Sequence, residues 1–158
     1  MINKIVTLLG VILLASCGTK KTAEKNIDSY KLVWNDEFNY NGLPLENLWH
    51  FDEGGHGWGN NEKQYYVPNS IENCYVKNGS LFISAVKKEY QNSQYTSAKL
   101  TTHGKFSFQY GKVSVKAKLP KGKGTWPAIW MLPNSLLEKK ETWPTCGEID
   151  IMEEVGKD

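Results

Sequence analysis

The sequence, 158 residues long, predicts an all-β domain whose strands form a sandwich or a barrel. Apolar and polar residues alternate with a period of two through most of the chain, which is the spacing of strands with one buried face. Glycine and asparagine interrupt this alternation at regular intervals, and no segment places a run of apolar residues at helical spacing. Short strands joined by regularly spaced turns are typical of sandwiches and barrels.

The clearest local signal is a hairpin centred on Asn78 and Gly79. Both residue types accept the positive φ values of a two-residue turn, and alternating segments flank them at residues 74–77 and 80–86. We expect further strands at residues 95–101, 105–109, 112–119, 128–132 and 148–155, separated by glycine-containing turns at 103–104, 110–111 and 121–124.

The amino terminus has the features of an export signal. A lysine precedes an apolar run, residues 5–14, that is too short to cross a bilayer as a stable helix. The run closes with Leu-Ala-Ser before Cys17, which resembles the bacterial lipoprotein cleavage box. We therefore expect residues 1–16 to be a lipoprotein signal peptide and Cys17 to carry the lipid. The alternative is an ordinary signal peptide, cleaved near Ser16, with an incidental cysteine.

Two regions follow the predicted lipidation site. Residues 17–29 are polar and have almost nothing to bury, so they are expected to form a flexible tether. The folded part is predicted to occupy residues 30–158. Because the chain stops directly after its most informative motif, we expect this part to be the N-terminal portion of a larger, incomplete domain. The prediction is an exported protein, anchored by lipid to the bacterial cell envelope or surface.

Composition argues against two classes of protein. The net charge is only +2 and the lysines are scattered, which argues against a nucleic-acid partner. No cluster of cysteine and histidine has metal-ligand spacing, so a zinc site is not expected. Cys74 and Cys146 could form a disulfide in an exported protein, although two buried free thiols are the favoured interpretation.

The most informative segment is residues 147–153, Gly-Glu-Ile-Asp-Ile-Met-Glu. Its three acids, Glu148, Asp150 and Glu153, lie among apolar residues of the kind that predicts a buried strand, and buried acids are costly unless they have a partner or a task. In a regular strand Glu153 is out of phase with the other two. One extra residue at 151–152, a β-bulge, puts all three on one face; without it, Met152 and Glu154 continue that face.

The spacing of the two glutamates suits one kind of chemistry. With the bulge their backbones are about 13 Å apart. Long side chains that lean inward can reduce this distance to the ~5–5.5 Å between the carboxyl groups of a retaining glycosidase.

Residues 147–156 resemble the signature of glycoside hydrolase family 16, in the bulged form of its laminarinase-like endo-β-1,3-glucanases. The resemblance continues, in the same order along the chain, through residues 34–38, 57–62, 95–98 and 124–133. It implies a jelly-roll β-sandwich of the concanavalin-like type, with a long cleft across its concave sheet. It also implies endo cleavage of a polysaccharide with retention of configuration, by a monomer that needs no cofactor for the chemistry.

The same resemblance implies roles for the acids. Glu148 matches the nucleophile and Glu153 the acid/base, while Asp150 would hold the nucleophile by a hydrogen bond. The related glucanases often hold a structural calcium ion through backbone carbonyls near Glu37 and Gly79 and through a later aspartate. That aspartate is not in this sequence, so only part of a calcium site is implied.

Candidate substrate-binding residues lie on both sides of the acidic motif. For Trp126, Trp130 and Trp143, stacking on a sugar ring and plugging the end of the sandwich are equally open alternatives. Lys99 stands where the family commonly has arginine, so a point charge replaces a planar fork. Asn60 belongs to the 57–62 loop and completes this group. Trp34 and Trp49 are interpreted as plugs of the sandwich ends, outside the site.

Laminarin-type β-1,3-glucan is the favoured substrate, because of the 57–62 loop and the bulge. Within the family, however, the same trio of acids also acts on mixed-linkage glucans and algal galactans. Two other functions remain open. One is a surface glycan-binding protein without turnover, against which the intact trio argues. The other is an inactive gene fragment.

Overall fold

A computed structural model of the protein describes residues 30–157. Within this range the chain forms nine strands and one short helix, in the order β1 (His50–Asp52), β2 (Gln64–Tyr66), β3 (Cys74–Lys77), β4 (Ser80–Ile83), β5 (Val86–Tyr90), β6 (Ser93–Ser97), β7 (Lys99–Thr101), β8 (Ala128–Met131), α1 (Asn134–Leu137) and β9 (Ile149–Glu153). The predicted all-β class is confirmed. The predicted signal peptide and tether, with Cys17, lie outside the described residues. In the described part, the helix is neither long nor apolar enough to span a membrane.

The strands form four small sheets. Three are antiparallel pairs: β1 with β7, β3 with β4, and β8 with β9. The fourth has β6 at its centre, parallel to β2 and antiparallel to β5. The predicted strand at residues 95–101 is in fact two strands, β6 and β7, which belong to different sheets and are separated by the buried Ala98.

The hairpin between β3 and β4 forms where the sequence predicts it. Asn78 and Gly79 have φ values of 52° and 72°, so both occupy the left-handed region that a two-residue turn demands. On its other edge, β3 pairs with Gly42, because the amide of Val76 donates to the carbonyl of Gly42 at 2.7 Å and the reverse bond measures 3.0 Å. The hairpin is thereby held to the start of the domain.

The core is small and centres on this hairpin. Cys74, Val76 and Ala98 are its buried apolar residues. Asn73 is buried beside them, and its side-chain amide donates to the carbonyl of Ser84 at 3.1 Å and to the hydroxyl of Thr96 at 3.0 Å. A buried polar side chain is stable only when it is hydrogen-bonded, and these bonds tie β3 to the three-stranded sheet.

An aromatic cluster lies at the start of the described chain. Trp34 packs edge-on against Trp49 and stacks on Phe106, with ring centroids 5.2 and 5.8 Å apart. The carboxylate of Asp36 accepts hydrogen bonds from the indole of Trp49 and the hydroxyl of Tyr40, both at 2.9 Å. Partial burial and the Asp36 bond raise the pKa of Tyr40 to about 12. Trp34 and Trp49 thus make structural contacts with neighbouring side chains, while their role as plugs of a sandwich end stays a prediction.

Several predicted details are wrong. Residues 105–109 and 112–119 are not strands, because a strand requires a ladder of hydrogen bonds and none of the described strands pairs with them. The four-residue helix α1 was not expected, since one turn is too short to show helical spacing. Cys74 and Cys146 are free thiols, as favoured, but only Cys74 is buried. Burial raises the pKa of Cys74 to about 12.

Candidate active site

The acidic motif lies on β9, whose pairing with β8 contains an irregularity. Ile129 faces Met152, but the next residue of β8, Trp130, faces Asp150, so Ile151 has no partner on β8. Two residues of one strand opposite one step of its neighbour define a β-bulge. The bulge predicted at residues 151–152 is confirmed.

The bulge decides which side chains share a face. Directly opposed residues project to the same side of a sheet, so Asp150 lies with Trp130 and Glu153 lies with Ala128. Trp130 and Ala128 are two residues apart on β8 and share one face. Glu148 immediately precedes β9 and is two residues from Asp150, which places it in phase with the other two acids. Glu154 then projects to the opposite side.

Each glutamate of the motif accepts a hydrogen bond from an indole. Trp126 Nε1 donates to Glu153 Oε1 at 2.8 Å, and Trp143 Nε1 donates to Glu148 Oε2 at 3.0 Å. An indole nitrogen can only donate, so both bonds require an acceptor oxygen on the carboxyl group. Two of the three candidate tryptophans named from the sequence are therefore hydrogen-bonded directly to the acids.

Backbone pairing beyond the strands places Trp126. Gly124 donates to the carbonyl of Gly156 at 3.1 Å, and Gly156 donates back to Thr125 at 2.8 Å. The segment before β8 thus runs beside the segment after β9. Gly156 has to be glycine because a Cβ there would collide with the carbonyl of Gly122.

Trp143 belongs to the turn that leads into β9. The backbone amide of Cys146 donates to the carbonyl of Thr142 at 3.0 Å, and the backbone amide of Gly147 donates to the carbonyl of Pro144 at 3.1 Å. Gly147 has a φ of 77°, which glycine adopts without strain. These bonds fold the turn back so that the indole of Trp143 reaches Glu148.

Lys99 lies at the centre of a second group, here called the lysine cluster: Lys99, Asp52, Trp58 and Trp130. Its ammonium is 3.1 Å from Asp52 Oδ2, and it lies 4.1 Å from the ring centroid of Trp58 and 5.0 Å from that of Trp130. Both contacts are within the range of cation–π attraction. Trp130 is opposite Asp150, so it lies on the face of the β8–β9 sheet that carries the acids. Through Trp130 the lysine cluster adjoins this face.

Two members of the lysine cluster were missed as site residues in the sequence. Trp58 could be noticed as a tryptophan in a glycine-rich loop, whereas nothing local distinguishes Asp52. The indole of Trp58 donates to the carbonyl of Gly54 at 3.1 Å, and its ring lies 5.2 Å from that of Tyr66. Burial and the neighbouring carboxylate of Glu62 raise the pKa of Tyr66 well above its usual range.

The expectation that the acidic strand is buried is wrong. Glu148, Asp150 and Glu153 are exposed, and Ile149 is 61% exposed although it is apolar. The reason is that β8 and β9 form a sheet of only two strands in the described part of the chain, so no third strand continues the sheet there. Asn60 is exposed as well. Its backbone amide donates to the carbonyl of Gly57 at 2.9 Å within the tight loop.

The residues named for calcium lie at the start of the domain. Asn39, Tyr40, Asn41, Asn78 and Gly79 line a shallow surface depression, and Glu37 is exposed nearby in the chain. Calcium prefers six to eight oxygen ligands, and these residues can offer carbonyl and amide oxygens. Within residues 30–157, no group of three acidic, histidine or cysteine side chains is arranged around a metal position. The calcium site stays a prediction.

The family model and the known proteins that match this chain are all associated by name with β-glucan or laminarin. The model of the family described as beta-glucan synthesis-associated protein SKN1/KRE6/Sbg1 matches residues 15–138. A beta-glucanase of Rhodothermus marinus is 47% identical over 156 residues, which cover 99% of this chain and 54% of the relative.

Solved structures give the same result. The laminarinase from Rhodothermus marinus superposes with a TM-score of 0.76 at 54% identity, over 80% of this chain and 50% of that one. The catalytic domain of an endo-1,3-beta-glucanase (laminarinase) from Thermotoga petrophila superposes with a TM-score of 0.71 at 48% identity, over 81% of this chain and 52% of that one. The chain spans about half the length of the relatives it matches. These matches confirm the predicted jelly-roll fold class.

Proposed function

Because the chain belongs to glycoside hydrolase family 16 and to the related SKN1/KRE6/Sbg1 family, we propose that the protein is a retaining endo-glycoside hydrolase. The proposed substrate is β-1,3-glucan of the laminarin type or a related β-glucan, since the similar proteins are named beta-glucanase and laminarinase. The observation that supports this chemistry most is the bulge at Ile151, which brings Glu153 into phase with Glu148 and Asp150.

The proposed reaction uses the two glutamates in succession. The carboxylate of Glu148 attacks the anomeric carbon while the carboxylic acid of Glu153 gives its proton to the departing glycosidic oxygen. Glu153, now a carboxylate, then takes a proton from water, whose oxygen attacks the anomeric carbon and releases Glu148. Two inversions give net retention. Asp150 lies between the two glutamates in the sequence. It holds Glu148 by a hydrogen bond whenever the carboxyl group of either Asp150 or Glu148 carries a proton.

The lysine cluster is proposed to form the wall of the cleft beside the acids. Trp130 shares a face with Asp150, and its indole offers an apolar plane to the C–H face of a sugar ring. Lys99 lies against that ring, so it can donate to a sugar hydroxyl only with the part of its ammonium that Asp52 does not engage. Asn60 is exposed in the neighbouring loop and is the remaining proposed sugar contact.

The direct test is hydrolysis of laminarin by the full-length protein, followed by proton NMR of the first products. We expect a mixture of oligosaccharides whose new reducing ends appear first in the β configuration. Products of the α configuration would contradict the double displacement. Binding of laminarin without any release of reducing ends would instead support a glycan-binding protein without turnover.

The proposed location follows from the amino terminus. We propose that Cys17 carries a lipid that anchors the protein to the bacterial cell envelope, because small residues precede it at the end of a short apolar run. Replacement Cys17→Ser should move the protein from the membrane fraction into soluble material when the cells are fractionated. An unchanged distribution would contradict the anchor, and Cys146→Ser serves as the matched control.

A further inference from the structure

We infer that Trp126 and Trp143 are positioning residues, which hold the two proposed catalytic glutamates through their indole N–H groups. This inference rests on the proposed function. It goes beyond a sugar-stacking role, because the group that matters is the donor nitrogen rather than the face of the ring. The observation that supports it is that each glutamate accepts one hydrogen bond from an indole N–H, at 2.8 Å from Trp126 to Glu153 and at 3.0 Å from Trp143 to Glu148.

The two glutamates need such partners because the indoles are the side chains that hydrogen-bond to them among the described residues, and the proposed bond from Asp150 would engage Glu148 alone. Both are exposed, and a glutamate side chain has several freely rotating bonds, so it samples many rotamers in water. A retaining glycosidase requires its two carboxyl groups at ~5–5.5 Å from one another, a spacing that a change of either rotamer would destroy. A hydrogen bond to an ionised carboxylate, such as that of Glu148 before attack, is among the stronger polar interactions, and the carbonyl oxygen of a protonated Glu153 still accepts from Trp126. One bond per glutamate therefore favours one rotamer.

The donors are themselves fixed by the backbone, so they can act as reference points. Trp126 lies in the segment that pairs with Gly156, and Trp143 lies in the hydrogen-bonded turn before β9. The two donors therefore approach the acidic motif from its opposite ends. The separation of the carboxyl groups then depends on the separation of two backbone segments, not on the side chains alone.

Trp130 shows how a different tryptophan of the same face is used. The ammonium of Lys99 lies 5.0 Å from the centroid of the Trp130 ring, and Trp130 is paired with Asp150 across the two strands. Trp126 and Trp143 are instead 48% and 64% exposed and make their polar contact with a glutamate. Their chemistry is that of a donor, whereas Trp130 offers a ring face.

The kinetic test separates the N–H group from the ring. In the full-length protein, Trp126→Phe and Trp143→Phe keep a six-membered aromatic ring but remove the donor together with the pyrrole ring, while Trp126→Leu and Trp143→Leu remove all aromatic character. We expect each phenylalanine variant to lower kcat on a laminari-oligosaccharide by about 10- to 100-fold, with KM within about twofold, because small misplacements of a reacting group have effects of this size. Each leucine variant should lower kcat to the same extent.

The opposite pattern would overturn the inference. If the phenylalanine variants keep kcat and the leucine variants raise KM, the rings act as sugar platforms. Tyr110→Phe is the control for loss of one polar aromatic group, since Tyr110 is 87% exposed and lies outside the site. Thermal unfolding of each variant should match the parent protein, which excludes a general loss of structure.

A second measurement does not depend on activity. In ¹⁵N-labelled protein, Glu148→Ala should shift the indole N–H resonance of Trp143 and leave that of Trp126 unchanged, and Glu153→Ala should do the reverse. If neither resonance moves, the hydrogen bonds are absent and the inference is wrong, whether or not the protein hydrolyses glucan. If the parent protein fails to hydrolyse any β-glucan while both resonances respond as expected, the proposed function is wrong and the paired donors remain.

Discussion

The two sides of the proposed cleft are held together in different ways. In the lysine cluster, the side chains of Lys99 and Asp52 are only 19% and 23% exposed, and they form an ion pair against two indole rings. The glutamate edge, which comprises Glu148, Asp150 and Glu153, is exposed, and each glutamate has one indole donor. The lysine cluster is fixed by side chains from separate segments, whereas the glutamate edge is positioned by the register of β9.

This difference teaches how stability and chemistry are divided between the two sides. Removal of one partner from a half-buried ion pair leaves the other charge poorly solvated, which destabilises the fold. Removal of an exposed carboxyl group leaves nothing buried and changes stability little. We therefore expect changes in the lysine cluster to affect folding, and changes on the glutamate edge to affect turnover.

The largest effect is expected for Glu148→Gln in the full-length protein. Loss of the nucleophile should lower kcat by on the order of 10⁴-fold or more, while the free energy of unfolding stays near that of the parent. In Glu148→Ala, whose short side chain leaves space beside the anomeric carbon, azide should take the place of the missing carboxylate and give a product of inverted configuration from an activated glycoside. A product of retained configuration would instead assign Glu148 as the acid/base.

The next test compares Glu153→Gln with Glu154→Gln. Because the bulge at Ile151 turns Glu153 to the face of Asp150, loss of its carboxyl group should lower kcat on laminarin by ~10²–10⁴-fold. Glu154→Gln is the matched control and should be nearly silent. If Glu154→Gln abolishes turnover and Glu153→Gln does not, β9 is not bulged in the working protein and the acid/base assignment fails.

A smaller effect on turnover than that of Glu148→Gln or Glu153→Gln, and the largest effect on stability, is expected for Lys99→Met. The change keeps the length of the side chain but leaves Asp52 without its cation, which should lower the free energy of unfolding by about 1–3 kcal/mol. Lys99→Arg should keep most of the stability of the parent protein, because a guanidinium also pairs with a carboxylate and stacks on indoles. Urea denaturation measures both.

A double change, Lys99→Met with Asp52→Asn, tests whether the ion pair is responsible. The double variant should be less destabilised than the sum of the two single variants, since each single change removes the same interaction. Additive losses would show that Lys99 and Asp52 act separately. A loss of stability in Glu148→Gln as large as that in Lys99→Met would remove the distinction between the two sides.

Some elements of the fold could be predicted because their signal is local. The hairpin at Asn78 and Gly79 forms as expected, since the preference of these residues for positive φ does not depend on distant contacts. The bulge could be predicted because Glu153 is out of phase with Asp150 in a regular strand. Residues 105–109 and 112–119 alternate in the same way, but no described strand pairs with them, and alternation alone does not form a strand.

The sequence by itself determined the all-β class, the turn of the hairpin and the phase of the three acids, because period-two alternation and turn preferences act between near neighbours. Only the tertiary structure decided that these acids are exposed, that Trp126 and Trp143 donate to the two glutamates, and that Lys99 meets Asp52, Trp58 and Trp130. Apart from the bond between Trp143 and Glu148, which are five residues apart, these contacts join residues far apart in the chain. Their existence depends on which segments meet in the folded protein, and no local preference carries that information.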